Sequence, residues 1–291
     1  MSANVIVVDR PAELTHRSLF SRIRPYGWLI WAVILGAILL CVLFPNVIAP
    51  FDHAKQAPRD KFLSPWSTGA RGLHLFGTDE LGRDVFSKVV AGARLTLFIG
   101  LMSTLIGATI GATLGMIAGL RGGWIDRIVM RLTEAQTAMP MFLIALLLLS
   151  TLGPSVWNLI MILPTYVWPT FARLIRAETL RMRTSPFIEA AESLGCRTRT
   201  ILWRHLLPNL WTRVAVLAAV SVGQVILSEA GLSFIGAGVQ RPDVTWGLLI
   251  SQGRKYLTVA WWATVFPGLF AGLTVFAINA IARRFSQGRE R

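Results

Sequence analysis

Long stretches without a charged residue constrain this chain more than any other feature. Residues 25–51 form an uncharged run of 27, residues 95–120 one of 26, residues 135–172 one of 38, and residues 256–282 one of 27. A fifth run, 214–228, holds only 15 residues, and residues 209–211 extend it across Arg213. A helix needs about 20 apolar residues to cross a bilayer. Gly153-Pro154 divides the longest run into two stretches of 18. The pattern predicts an all-α membrane protein with six transmembrane helices. Composition agrees: charged residues make up 15% of the chain, against about 25% in a soluble domain. That deficit excludes an ordinary soluble globule, and the high apolar content excludes disorder.

The net charge of +14 would suggest nucleic acid in a soluble protein. Here the basic residues lie between the apolar runs, so they read as membrane topology, with the lipid membrane as partner and no nucleic acid. With the N-terminus inside, the inner segments hold 19 Lys and Arg and the outer segments 10. The positive-inside rule then places both termini in the cytoplasm. The first run follows a long segment containing Asp9 and Glu13, with no small-residue cleavage site after it. It reads as an uncleaved first helix of a multi-pass protein in a cell membrane.

The resulting organisation is a cytoplasmic segment 1–27, a first span 28–44, an extracytoplasmic loop 45–94, a five-helix core 95–282 and a cytoplasmic tail 283–291. Within the core, a basic loop at 173–213 faces the cytoplasm. Gly107, Gly111, Gly115 and Gly119 recur every four residues on the second span. Such a stripe lets two helix backbones approach closely, and a ligand groove is the other reading. Pro140, Pro164, Pro169 and Pro267 fall in or near spans and predict kinks. Glu134 is an acid near a span, and Arg131 one turn earlier predicts an i,i+3 ion pair.

The loop 173–213 is patterned as two short helices. Ser185-Pro186 reads as an N-cap followed by a first-turn proline. Glu189 falls in the early turns, and Gly195 is placed to end the first helix. Ile201, Leu202, Leu206 and Leu207 give the second segment an apolar face. The full spacing is Glu189-Ala190-Ala191-x3-Gly195-x9-His205-x-Leu207-Pro208. It resembles the EAA loop of ABC importer permeases, with His205 at a usually apolar position. The resemblance implies a type I importer fold in which this coupling loop docks on a cytoplasmic ATPase. Glu189, Ala190, Ala191 and Gly195 would make that contact, and Leu207 and Pro208 would return the chain to the membrane.

Further stretches narrow the branch. Residues 76–84 read FGTDELGRD, similar to the FGTDxxGRD signature of peptide and nickel importer permeases. Glu229, the Leu232-Ser233-Phe234 triplet, Gly236, Gly238, Pro242 and Trp246-Gly247 resemble that family's E-x-x-LSFLGLG…P…WG pattern. Pro267-Gly268 and Asn279 match its last helix, whereas Ala280 to Arg284 depart from its tail. The resemblance runs over residues 76–282 and is to the C-type permease of oligopeptide and dipeptide importers. It implies a second, B-type permease, cytoplasmic ATPases that hold the ATP and Mg, and an extracytoplasmic peptide-binding protein.

Read as residues alone, the outer signature has two meanings. Thr78 or Asp79 can cap a helix running toward Arg94. Asp79, Arg83 and Asp84 form either a salt-bridged collar or a docking surface for the binding protein. Glu229 marks the end of the fifth span, with a glycine-rich loop or a re-entrant gate beyond it. No catalytic set, metal-ligating cluster or nucleotide-binding loop occurs, so the chain is expected to be a non-catalytic subunit without a cofactor of its own. A self-contained secondary transporter and a membrane scaffold are the competing classes. Nickel or glutathione import are alternatives to peptide uptake within the family.

Overall fold

The computed structural model describes residues 27–186, 188, 193–197 and 200–287. The described residues are mostly helical, with one insertion between the first helices that carries a two-stranded hairpin. Helix α1 is Gly27–Leu43 and α2 is Pro45–Ile48. A 3-10 turn at Pro58–Asp60 follows, then a hairpin of β1, Ser67–Gly69, and β2, Gly72–His74. The strands are antiparallel, with Ser67 opposite His74 and Gly69 opposite Gly72. Next come α3, Val85–Arg121; α4, Gly123–Ala138; α5, Met141–Leu152; α6, Val156–Ile162; and α7, Pro164–Arg183. A π-helical turn at Ile201–Leu206 runs into α8, Leu207–Ile235. The chain closes with α9, Trp246–Gly253, and α10, Trp262–Gln287.

Among the described residues, three helices are long and apolar enough to cross a membrane: α3, the continuous helix Ile201–Ile235 containing α8, and α10. Helices α4 and α5 make a fourth if taken together, bent by 86° at their junction. Pro140 causes this elbow. The residue before a proline is pushed from helical to extended backbone, and Met139 sits at φ −93° and ψ 134°. The stretch 135–152, expected to be one span with a kink at Pro140, is divided by this bend, and α5 keeps only 12 residues. On the far side of Gly153-Pro154, α6 passes almost directly into α7 through Leu163.

Several boundaries differ from those read in the sequence. Helix α3 begins at Val85 rather than near residue 95, and neither Thr78 nor Asp79 caps it. Asp84 does, accepting the Ser87 amide at 2.7 Å. Helix α8 runs six residues past Glu229, so Glu229 lies inside a helix and not at its end. The Ser185 hydroxyl donates back to the Met182 carbonyl, and residue 187, whose amide a forward cap could meet, lies outside the described residues. Pro208 is the second residue of α8, directly after the π-helical turn that begins the continuous helix Ile201–Ile235.

The core forms around α3. One cluster joins it to α5, α6, α7 and α8 through Ile99, Leu149, Leu163, Phe171 and Val225. A second joins it to α1, α9 and α10 through Val89, Ile38, Trp246 and Trp262. A third, at the other end of α3, gathers Met116, Ile175, Ile188, Ile201 and Leu206. Large apolar side chains such as Leu101, Leu143, Leu147, Trp157 and Phe276 remain exposed, as befits surfaces that face lipid or another subunit.

Candidate functional site

The residues FGTDELGRD fold into a tight polar knot at the head of α3. Asp79 organises it. One carboxylate oxygen accepts the Leu81 and Arg83 amides, both at 2.9 Å. The other takes Arg83 Nε and Lys88 Nζ, both at 2.7 Å. Burial alone would raise the Asp79 pKa, but the charges of Lys88 and Arg83 outweigh it and hold the carboxyl below its usual range. Gly82 adopts φ +70°, and a Cβ there would overlap the Ala57 carbonyl, so only glycine fits the turn. Asp84 completes the knot. Besides capping α3 it lies 2.9 Å from Nδ1 of His74, a buried ring against which Phe51 packs.

Two distant segments are pinned to this knot. Trp262 Nε1 donates to the Thr78 carbonyl at 3.0 Å. Arg241 Nη2 reaches Glu80 Oε1 at 2.9 Å, and Glu80 also takes Arg83 at 3.2 Å. Asp79, Arg83 and Asp84 are all buried. Their side chains are engaged inside the knot, while the partly exposed Glu80–Arg241 pair forms its rim.

Glu229 belongs to a separate buried node. Its Oε1 accepts the Ser233 hydroxyl at 2.7 Å and the Thr245 hydroxyl at 2.9 Å. Oε2 has no hydrogen-bond partner among the described residues. Thr245 also caps α9 by accepting the Leu248 amide at 3.1 Å. Next to it Trp246 is fully buried, its amide on Thr96 and its indole donating to the Val89 carbonyl at 2.8 Å. Glu229 thus fastens the short helix α9 to the end of α8, and Trp246 fastens it to α3.

The four glycines of α3 face α7. A Cβ at Gly107 would lie 2.7 Å from Val167 Cβ, at Gly115 2.5 Å from the Ala172 carbonyl oxygen, and at Gly119 2.8 Å from Thr179 Cβ. At Gly111 it would overlap the Trp168 carbonyl. The stripe is filled along its length by one helix, which leaves it no room to be a ligand groove.

In the basic loop, Glu189, Ala190 and Ala191 lie outside the described residues. Gly195 is exposed, with φ +75°, and among the described residues nothing lies within 4 Å of the place a Cβ would take. The left-handed backbone conformation itself calls for glycine there. Leu207 packs against the cluster that holds Leu206 and Ile201. Nearby, Glu178 of α7 pairs with Arg213 of α8 and, at 3.3 Å, with Arg181. Asp126 of α4 holds Arg176 of α7 through two charge-assisted bonds. Glu134 pairs with Arg131 at 3.3 Å on an exposed surface.

A family model described as "Binding-protein-dependent transport system inner membrane component" matches residues 111–291. The chain belongs to that family. It is 37% identical over 250 residues to the glutathione transport system permease protein GsiD of Escherichia coli O6:K15:H31, a match covering 86% of this chain and 81% of that one. The counterpart in Shigella flexneri serotype 5b is 38% identical over the same shares. The protein is a C-type permease subunit of an ABC importer of the peptide and nickel branch, a multi-pass membrane protein that works within a complex.

Sequence reading of the permease missed the partners more than the sites. Lys88 lies nine residues from Asp79, Thr245 sixteen from Glu229, and Trp262 far from Thr78. None of these spacings follows a helical or strand period. A usable hint existed for Lys88: a cation at the start of an apolar helix needs a nearby anion.

Proposed function

We propose that this permease carries short peptides, glutathione among them, across the cytoplasmic membrane, driven by partner ATPases. The observation that carries the substrate assignment is the 37% identity, over most of both chains, to permeases named for glutathione transport. In this reading six spans are used: α1, α3, the bent α4–α5 pair, α6 with α7, α8 and α10. Both termini face the cytoplasm. A B-type permease completes the pathway, and a binding protein delivers the peptide from outside. ATP and Mg belong to the ATPases. The loop 173–213, with Glu189, Ala190, Ala191 and Gly195 at its head and Leu207 and Pro208 at its return, transmits their closure to α7 and α8.

The geometry supports this division of labour. The buried knot and the Glu229 node make the outer end stiff. Asp79, Arg83 and Asp84 then act by shaping the outer face, and the Glu80–Arg241 rim is the part a binding protein can touch. Helices α7 and α8, which bracket the loop, meet through the Glu178–Arg213 pair, an exchangeable contact suited to a moving junction.

The test is purification of the tagged chain in mild detergent, followed by reconstitution. An ABC ATPase, a second permease and a binding protein should co-purify. Vesicles holding the complex should accumulate glutathione or a dipeptide only with ATP on the ATPase side. Recovery of the chain alone, even after cross-linking in the membrane, would sink the reading.

A further inference from the structure

Helix α7 has two faces of opposite character. Val167, Phe171, Ala172 and Ile175 are buried, on the side where α7 meets the glycine stripe of α3. Tyr166, Thr170 and Arg173 stand on the other, at helical spacings of four and three. They line a cleft of about 460 Å³ bounded by the Pro140 elbow and by α8. Gln136 and Thr137 enter it from the end of α4, and Gln224 from α8. Leu217 and Val220 line both this cleft and a larger one of about 760 Å³ between the C-terminal end of α7 and the start of α8. The two clefts share only these two residues, and Glu178, Arg181 and Arg213 line the larger one alone.

A polar wall on membrane-spanning helices is costly against lipid, and such walls face protein or water. The cleft lies within the size range of small-ligand sites, about 300–1,000 Å³. Its charge is one-sided. Among its described lining residues Arg173 is the one ionic group and none is acidic. Arg173 Nη1 lies 3.5 Å from the Thr137 hydroxyl, a weak neutral contact. A guanidinium offers five donors in a fork that matches a carboxylate. The side chains around it, an amide from each of two helices and a phenol, suit the peptide groups of the same ligand.

We infer that Arg173 receives a carboxylate of the passing peptide, its C-terminus or an acidic side chain, and so favours anionic substrates at this step. The inference rests on the peptide-importer reading. The test uses the assembled transporter in native membranes, with Cys41→Ser, Cys196→Ser and a reporter Thr170→Cys. Two thiosulfonate reagents of opposite charge then label the reporter. The anionic reagent should react faster, and Arg173→Gln should lower the anion-to-cation rate ratio by about tenfold, in line with loss of a nearby unit charge. Arg173→Lys should keep most of the ratio. A dipeptide with a free carboxylate should slow labelling more than its C-terminal amide does.

An unchanged ratio in Arg173→Gln, or a reporter that neither reagent reaches, would overturn the inference. The ratio needs no turnover, so it stands apart from the transport question. A charge preference that vanishes in Arg173→Gln without any protection by peptide would overturn the assignment of a peptide carboxylate to Arg173, and would fault the peptide-substrate reading while leaving the electrostatic effect of Arg173 in place.

Discussion

The hydroxyl of Thr245 donates to Glu229 at 2.9 Å while its oxygen accepts the Leu248 amide at 3.1 Å. One side chain thus caps α9 and ties it to α8. Thr245→Val keeps the shape and removes both bonds, leaving the Leu248 amide unmet and Glu229 Oε1 with the Ser233 hydroxyl alone. The expected cost is about 1–3 kcal/mol, read as a lower midpoint in thermal unfolding of the detergent-solubilised protein. Thr245→Ser should retain most of the stability. Equal losses in both variants would mean the bonds contribute little.

Gly115 is the sharpest test of the α3–α7 contact. In Gly115→Ala the new methyl meets the Ala172 carbonyl oxygen at 2.5 Å, and overpacking of this kind costs about 1–3 kcal/mol. Gly272 of α10 has nothing within 4 Å of a Cβ, so Gly272→Ala should be neutral or slightly stabilising. The same unfolding assay compares the two. Similar midpoints would contradict the close approach.

How much of this was legible beforehand depends on distance along the chain. The glycine stripe stood out because its period is that of a helix. The Arg131–Glu134 pair stood out for the same reason. The elbow did not, because Pro140 in an apolar run reads equally as a mild kink, and the backbone around it decides which. The cap of α3 was misplaced because three cap-capable residues, Thr78, Asp79 and Asp84, precede the helix within seven positions. Tertiary demands on Thr78 and Asp79 removed them from the competition. The Glu229 node was invisible because its second partner arrives across a loop from another helix.

The Asp79 knot should respond to acid in one direction only. The folded carboxyl is held below its unfolded value of about 3.9, so the stability it contributes is present above that pH and lost as pH falls through the folded pKa. Protease protection of the outer insertion should therefore be flat from about pH 8 to pH 5 and should fall below about pH 4. Asp79→Asn should lower protection at neutral pH and flatten the acid limb. A wild-type decline centred near neutrality would point to another group.

Gly195 tests the transmission path. Its φ of +75° disfavours every branched side chain. In the complex, Gly195→Val should leave ATP hydrolysis by the partner running while peptide uptake falls at least about tenfold, or should weaken ATPase retention during purification. Wild-type uptake with a retained ATPase would remove this residue from the coupling contact.

The bond from Trp262 to the Thr78 carbonyl joins positions 184 apart in the chain. It also sets an order of events during biosynthesis. The insertion that holds Thr78 leaves the ribosome early, yet its seal is supplied by the first residue of α10. Until that helix is translated and inserted, the Thr78 carbonyl and Gly77 lack their indole cover. The knot is thus made early and among the last elements completed, and nascent chains stopped before residue 262 should expose it to proteases that leave the finished protein intact.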